Sequence, residues 1–329
     1  MQFRQLEYFV ALARERHFAR AAAACYVSQP ALSDAIRKLE HELNVPLIRR
    51  DRAFAGLTPE GERLVVWARR ILAEHDAFRQ EAAALQSDLA GRLRLGVIPA
   101  AAATAALLID PFCAAYPQTR VSLETSLRSA EVIDLLHRFE LDAGIIYLEG
   151  QDTEGLRVTP LYTERQVLVV PPGLLGLLGH PGLADQPEGP VSWPEAARLP
   201  LCLLNQGMRG RQMLDEALAR HDLTVAPHLE TDSVAALYAQ VGTGNWATIV
   251  PYPWTRAMRP PDGTRLLTLR DPEIRSRIVL ATVATDPGPV LVRALADIAR
   301  GLRLTELLDQ APPALDQAPS GAPPADPAA

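Results

Sequence analysis

The amino-acid sequence predicts a multidomain fold: an α-helical N-terminal module, one long helix, and then two α/β lobes. Three observations carry that reading. At 329 residues the chain exceeds what a single hydrophobic core usually supports. Residues 1–57 read as short helices in which Arg14, Arg16, Arg20, Arg37, Lys38, Arg49, Arg50 and Arg52 crowd. Beyond Gly91, strand-like runs alternate with amphipathic helices in a βαβ rhythm that implies a largely parallel sheet.

Composition narrows the classes of function. Hydrophobic residues make up 48% of the chain, charged residues 22%, and the net charge is −6. A wholly disordered chain and a globally basic nucleic-acid coat are both excluded, so local charge must select the partners. Cys25, Cys113 and Cys202 are odd in number and lack CxxC spacing, which argues against a disulfide framework or a cysteine-built zinc site and suits a reducing cytoplasm. The N-terminus has no signal-peptide pattern and no run approaches about 18 uninterrupted apolar residues, so neither secretion nor a membrane partner is expected. The histidines are scattered, and HExxH, GxSxG and the phosphate-binding GxxxxGKS or GxxxxGKT are absent. An enzyme, a metal site and a cofactor are therefore not expected.

In the N-terminal module, Leu6, Phe9, Val10 and Ala13 give the i, i+3, i+4, i+7 stripe of a first helix. A short second helix from Phe18 to about Ala24 leads through Cys25, Tyr26 and Val27 to Ser28, which can cap a third helix with Pro30 in its first turn. Leu32, Ile36, Leu39 and Leu43 face inward, so Gln29, Ser33 and Arg37 face out, flanked by Pro30, Asp34 and Lys38. This is the geometry of a helix-turn-helix recognition helix, whose N-terminal part reaches base edges in the major groove. A solvated polar face on a small bundle is the plain alternative, and the short preceding helix and turn weigh against it. Arg49, Arg50 and Arg52 follow where a hairpin could carry them to phosphate or minor groove.

Thr58 can cap the long helix, with Pro59 in its first position and Glu60 and Glu62 in its first turn; the pattern continues to Asp88 and stops at Gly91. Leu64, Ala68, Ile71, His75, Phe78, Ala82, Leu85 and Leu89 are spaced as a heptad seam, which favours a partner helix from a second subunit over a broader one-sided burial. Strand-like runs then fall at 93–98, 121–126, 143–148, 166–170, 201–204, 228–231, 247–250, 266–269 and 277–283, separated by helices. Residues 171–190 are rich in Gly and Pro and read as surface loop. Residues 307–329 form a Pro/Ala-rich tail that reads as disordered.

The string VSQPALS at 27–33, with IRKLE at 36–40, VPL at 45–47 and LTPEG at 57–61, closely resembles the DNA-binding domain of LysR-type transcriptional regulators. Asp34 and Ile48 depart from the family's usual residues. The resemblance implies a winged helix-turn-helix at 1–57, a dimerising linker helix at 58–90 and a periplasmic-binding-protein-like effector domain at 91–306. Its lobe I would take about 91–161 and 268–306, and lobe II about 162–267. Implied partners are double-stranded promoter DNA, contacted through Ser28, Gln29, Pro30, Ser33, Asp34, Arg37, Lys38, Arg49, Arg50 and Arg52, and a second copy of the chain, as dimer or tetramer. RNA polymerase is a further candidate partner.

Ligands of parallel sheets sit beyond strand C-termini, where helix N-termini present free N–H groups. Pro99, Ala100, Ala101 and Thr104 follow the first such strand, Ser129 the second, Tyr147 the third, Asn205 and Met208 a fourth, and Thr231 and Ser233 a fifth. The expected effector is a small anion, a carboxylate or an oxyanion, with Arg128 and Arg209 able to add charge. Crossings between lobes are expected near 161–166 and 265–268. The rival readings are a solute-binding module without a DNA role and a constitutive DNA-binding protein; the first has no use for residues 1–90 and the second none for the lobes.

Overall fold

The computed structural model describes residues 1–51, 53–85, 89–179 and 190–309. Helices α1 (Phe3–Glu15), α2 (Phe18–Ala24) and α3 (Gln29–Leu43) close on a core that includes Leu6, Phe9, Leu12, Leu32, Ile36 and Leu39. Leu43, expected on the inward stripe, is instead exposed, because it is the last helical residue and Asn44 turns the chain away in the left-handed region at φ 52°. Strands β1 (Ile48–Asp51) and β2 (Ala53–Leu57) form an antiparallel hairpin, the wing. The Glu40 carboxylate of α3 accepts from the amides of Leu47 and Ile48, at 2.9 and 3.1 Å, and so ties the wing to α3.

Helix α4 (Pro59–Ala84) begins as its sequence dictates: Thr58 Oγ1 accepts from the Gly61 amide at 2.8 Å and donates to the Pro46 carbonyl at 2.6 Å. A Cβ at Gly61 would stand 2.1 Å from the Leu47 carbonyl oxygen, so glycine alone permits this approach. The helix ends at Ala84, not near Asp88, and β3 (Ala90–Val97) already contains Gly91 at φ 146°. The expected stop signal is a strand glycine, placed where Gln80 and Leu291 crowd the backbone. The heptad seam divides as well. Leu64, Ala68 and Ile71 pack on the core of the N-terminal module, and His75 stacks on Phe3 with ring centroids 4.1 Å apart. Phe78 and Leu85, with Trp67, remain exposed, while Leu89 lies beyond the helix against the first lobe.

In that lobe β3, α5 (Ala106–Ala115), β4 (Gln118–Glu124), α6 (Ser129–His137) and β5 (Ala143–Tyr147) make two parallel βαβ steps. Strand β6 (Leu156–Val170) then runs 15 residues without interruption. Leu156 to Arg165 pairs with β12 (Arg275–Val283). Gln166 to Val170 pairs with β10 (Thr248–Pro251) and β11 (Arg265–Arg270). All three pairings are antiparallel, so the largely parallel sheet expected from the βαβ rhythm holds only away from this axis. The first ten residues of β6 were not legible as strand because Pro160 interrupts them; a register shift opposite Ile278 and Val279 accommodates it.

The second lobe adds β7 (Pro190–Ser192), α7 (Trp193–Ala196), β8 (Cys202–Leu204), α8 (Arg209–Ala219), β9 (Leu229–Thr231), α9 (Val234–Gly242) and α10 (Tyr252–Ala257). The return crossing falls at 271–274: β11, where the sequence placed it, pairs wholly within the second lobe. Residues 172–178 of the expected loop form a 3-10 helix, and 180–189 lie outside the described residues. Helices α11 (Val290–Gly301) and α12 (Leu304–Asp309) close the first lobe, with Leu308 buried. Order thus continues past 307, where the tail was expected to begin; 310–329 lie outside the described residues.

Gly61→Ala should destabilise the N-terminal module by about 1 to 3 kcal/mol through overpacking against Leu47, read as a lower denaturant midpoint.

Candidate functional site

Helix α3 buries Leu32, Ile36 and Leu39 completely, which leaves Ser28, Gln29, Pro30, Asp34, Arg37 and Lys38 exposed and Ser33 half-buried on the outward side. Ser28 Oγ accepts from the Ala31 amide at 3.4 Å and caps the helix. Arg37 Nη1 lies 3.5 Å from the Asp34 carboxylate, both side chains 64% exposed, so the acid steers the guanidinium as well as facing outward. In the wing, Arg49 Nε donates to the Leu57 carbonyl at 2.8 Å and is partly spent there. Arg50 lies opposite Phe54 in the hairpin; its side chain, and the whole of Arg52, lie outside the described residues.

A cavity of about 330 Å3 opens between the lobes. Of the residues expected there, Pro99, Ala100, Tyr147 and Met208 line it. The other six are employed elsewhere. Ala101 is fully buried, and its amide and that of Ala102 close a 3-10 turn on the carbonyls of Ile98 and Pro99. Thr104 Oγ1 meets the Tyr162 hydroxyl at 2.6 Å. Ser129 Oγ accepts from the Tyr147 amide, holding α6 to β5. Asn205 closes a turn with Met208, the Thr231 hydroxyl accepts from the Ser233 amide, and Ser233 caps α9.

Sequence reading missed the apolar wall of the cavity: Ile98, Leu127, Leu203, Leu204, Ile249 and Trp254. Leu203 and Leu204 end a strand and could have been found on that ground. Trp254 could not, because α10 spans only six residues; its indole Nε1 donates to the Ala100 carbonyl and straps one lobe to the other. At the rim, Arg128 pairs with Glu131 at 2.8 Å and Arg209 with Glu216 at 2.8 Å. Bonds from the Arg128 side chain and amide pull the Glu131 carboxyl down to about 2. Arg211 is buried between Asp215 and Glu230, 2.9 Å from each.

Behind Tyr147 lies a carboxyl that the sequence did not single out. Glu164, 1% exposed on β6, accepts from the Tyr147 hydroxyl at 2.9 Å, and its second oxygen makes no hydrogen bond among the described residues. Burial pushes its pKa up to about 8; the bond from Tyr147 opposes the rise and the Glu149 carboxylate adds to it.

The family model of the bacterial regulatory helix-turn-helix protein, lysR family, matches residues 3–62, and that of the LysR substrate binding domain matches residues 86–303. This chain belongs to the LysR family of transcription regulators. It is a DNA-binding regulator and not an enzyme. It is 32% identical over 311 residues to the DNA-binding transcriptional dual regulator OxyR of Escherichia coli strain K12, covering 92% of this chain and 95% of that one. A probable hydrogen peroxide-inducible genes activator of Streptomyces viridosporus is 35% identical over 84% of this chain and 86% of its own. A full-length OxyR variant from Pseudomonas aeruginosa, substituted at one cysteine, superposes with a TM-score of 0.71 at 28% identity, over 93% of this chain and 97% of that one. The LysR-family regulator CbnR, solved with its target DNA, shares the fold at a TM-score of 0.60 and 22% identity, over 92% of this chain and 99% of that one.

For a LysR-family recognition helix, Arg37→Ala should lower discrimination between specific and random DNA by about 1 to 3 kcal/mol, measured by competition binding. Equal losses on both duplexes would remove Arg37 from base readout. Glu164 gives a pH prediction. Its folded pKa lies above its ordinary 4.5, so the stability it carries is complete below about 4.5 and is lost as pH rises through about 8. Glu164→Gln, which keeps the neutral shape, should therefore raise the unfolding midpoint relative to the parent more at pH 8.5 than at pH 5.

Proposed function

We propose that this regulator binds promoter DNA as a homo-oligomer and is switched by a small carboxylate with an apolar body, held between its lobes. The observation that carries the reading is the lining of the cavity. Leu127, Leu203, Leu204, Ile249 and Trp254 offer an apolar seat, while the guanidinium groups of Arg128 and Arg209 stand at its edge. Those cations already have carboxylate partners in Glu131 and Glu216, so a bare oxyanion gains little by displacing them. A ligand that also buries apolar surface gains about 25 cal/mol per Å2 and can meet that cost. Exposed Trp67, Phe78 and Leu85 on α4 and just past its end support pairing with a second copy, which would set two recognition helices on one partly palindromic site.

In this reading the ligand acts on DNA binding through α6. Arg128 and Glu131, at its N-terminal end, line the cavity. Just beyond its other end, Glu140 pairs with Arg69 of α4 at 2.9 Å, and the Phe139 ring lies 5.9 Å from the Arg70 guanidinium. A ligand that pulls the N-terminal end of α6 thus moves a helix whose far end grips the linker. Switching requires that it bind one arrangement better than the other.

The peroxide-inducible activators among the relatives favour a second reading, a response to peroxide through thiols. Two of the three thiols are poorly suited to it. Cys202 is fully buried, and burial pushes the thiols of Cys202 and Cys25 up, away from the reactive thiolate.

One experiment tests both readings: thermal unfolding and promoter binding of the full chain against aromatic and aliphatic carboxylates, sulfate, phosphate and hydrogen peroxide. A carboxylate at 100 times its Kd adds about 2.7 kcal/mol and should raise the midpoint by roughly 5 to 10 °C. Arg69→Ala should keep that shift and lose the ligand's effect on DNA affinity. Peroxide that changes DNA affinity where no carboxylate does, with the change abolished by serine at Cys25, Cys113 or Cys202, would replace the first reading by the second.

A further inference from the structure

The turn between α2 and α3 carries a residue that its own backbone disfavours. Helix α2 ends in a paired closure: the Tyr26 amide donates to the Ala23 carbonyl at 3.1 Å and the Val27 amide to the Ala22 carbonyl at 3.0 Å. This 5→2 and 6→1 arrangement puts the first residue past the cap in the left-handed region, where glycine is the usual occupant and asparagine the next. Here that residue is Tyr26, at φ 56°. A side chain with a Cβ raises the energy of this conformation, and nothing among the described residues repays it. The ring is 96% exposed, and no hydrogen bond, ring contact or ion pair holds it among the described residues. Its aromatic neighbours behave differently: Tyr8 and Phe9 are buried, and Phe18 meets Phe54 edge-on at 6.2 Å.

Helix α6 ends in the same way and supplies the contrast. Phe139 stands at φ 56°, with its amide on the Leu136 carbonyl and the Glu140 amide on that of Leu135. There the aromatic ring has a use, because it packs half-buried beside Arg70 of α4. Tyr26 occupies the same strained position with no such contact among the described residues, which points to a partner outside the chain.

That partner is identified by where the turn lies. Tyr26 precedes the cap of α3, Ser28, by two residues, off the DNA-reading end of that helix. Base edges fall to the helix face itself, whereas a residue at its mouth meets the sugar–phosphate chain that borders the groove. We propose that Tyr26 is a DNA-backbone contact: its hydroxyl donates a hydrogen bond to a phosphate oxygen, and the rigid turn aims it. This rests on the DNA-binding role of the α3 face and adds an uncharged, sequence-independent anchor beside it.

The test uses the full chain and a pair of duplexes, one protected from nuclease by the unaltered protein and one of random sequence. Tyr26→Phe removes only the donor. It should leave the thermal midpoint unchanged and weaken both duplexes alike by about 10-fold or more. The slope of log affinity against log salt should stay as it was, because a neutral donor releases no counterion. Tyr26→Asn, which suits the left-handed backbone, should match or exceed that loss of affinity while the midpoint holds or rises by a few degrees. Parent-like affinity of Tyr26→Phe for both duplexes would overturn the proposal. A loss confined to the protected duplex would overturn it too, by making Tyr26 a base reader. A lower midpoint in Tyr26→Asn would make the ring a structural support and likewise defeat it. Failure of the unaltered protein to protect any duplex would refute the DNA role of the α3 face instead.

Discussion

The uninterrupted ladder of β6 is the constraint on which the effector half of the molecule depends. One strand serves both lobes: its first ten residues bond to β12 and its last five to β10 and β11. The lobes share this strand as well as the return crossing at 271–274, so movement of one against the other bends or twists β6 near Arg165 and Gln166, where its partners change. The strap from Trp254 to Ala100 spans the same gap on the cavity side. Glu164 stands just before the change of partners, between Tyr147 and the body of the first lobe. A carboxyl buried there stays neutral at moderate pH, because an ionised one would lie among apolar neighbours with a single donor.

The same constraint bears on the role proposed for α6. It is fixed to β5 through Ser129 and the Tyr147 amide, and β5 is bonded to β12 within the continuous sheet. Its far end engages α4 through Arg69, whose side chain is only 14% exposed, and Glu140. A second clamp, Arg293 with Glu81 at 2.8 Å, holds α11 to the same helix nearer its C-terminal end. Two anchors on one helix define an orientation, whereas one would define only a pivot. The second clamp is exposed, screened by water and of little weight in stability, so orientation rather than energy is its contribution.

Much of this was legible in the sequence, and the exceptions have physical reasons. The N-terminal module was readable because its signals are local: Ser28 and Thr58 cap, Pro30 and Pro59 start helices, and Leu32, Ile36 and Leu39 recur at helical spacing. The parallel βαβ steps were readable for the same reason. Strand β6 was not, since Pro160 breaks its pattern and only tertiary pairing with β12 restores it. The end of α4 was misplaced because Gly91 signals a stop equally well as a cap or as a crowded strand position. The heptad seam was real as a pattern but ambiguous as to partner, and the N-terminal module takes its first half. Among the candidate ligand residues, Thr104, Ser129, Thr231 and Ser233 follow strand ends, where the sequence predicts a ligand. Those groups are the ones the chain itself needs for caps and turns, so the cavity is lined instead by apolar residues and by side chains such as Arg128 and Arg209.

Where local chemistry and global structure agree, the residue needs no explanation beyond the fold; where they conflict, something else selects it. Asn44 in the left-handed region is an agreement, as asparagine is suited to that backbone. Phe139 is a conflict resolved inside the chain by Arg70. The carboxylate partners of Arg128 and Arg209 are a conflict of another kind, since a site built to hold an anion by charge alone would leave its cations open. Paired cations beside an apolar cavity instead penalise every ligand that brings only charge, and reward the one that brings shape as well. For the carboxylate ligand proposed here, selectivity would then follow from competition between the cavity's own carboxylates and the ligand's, with the apolar wall deciding the outcome.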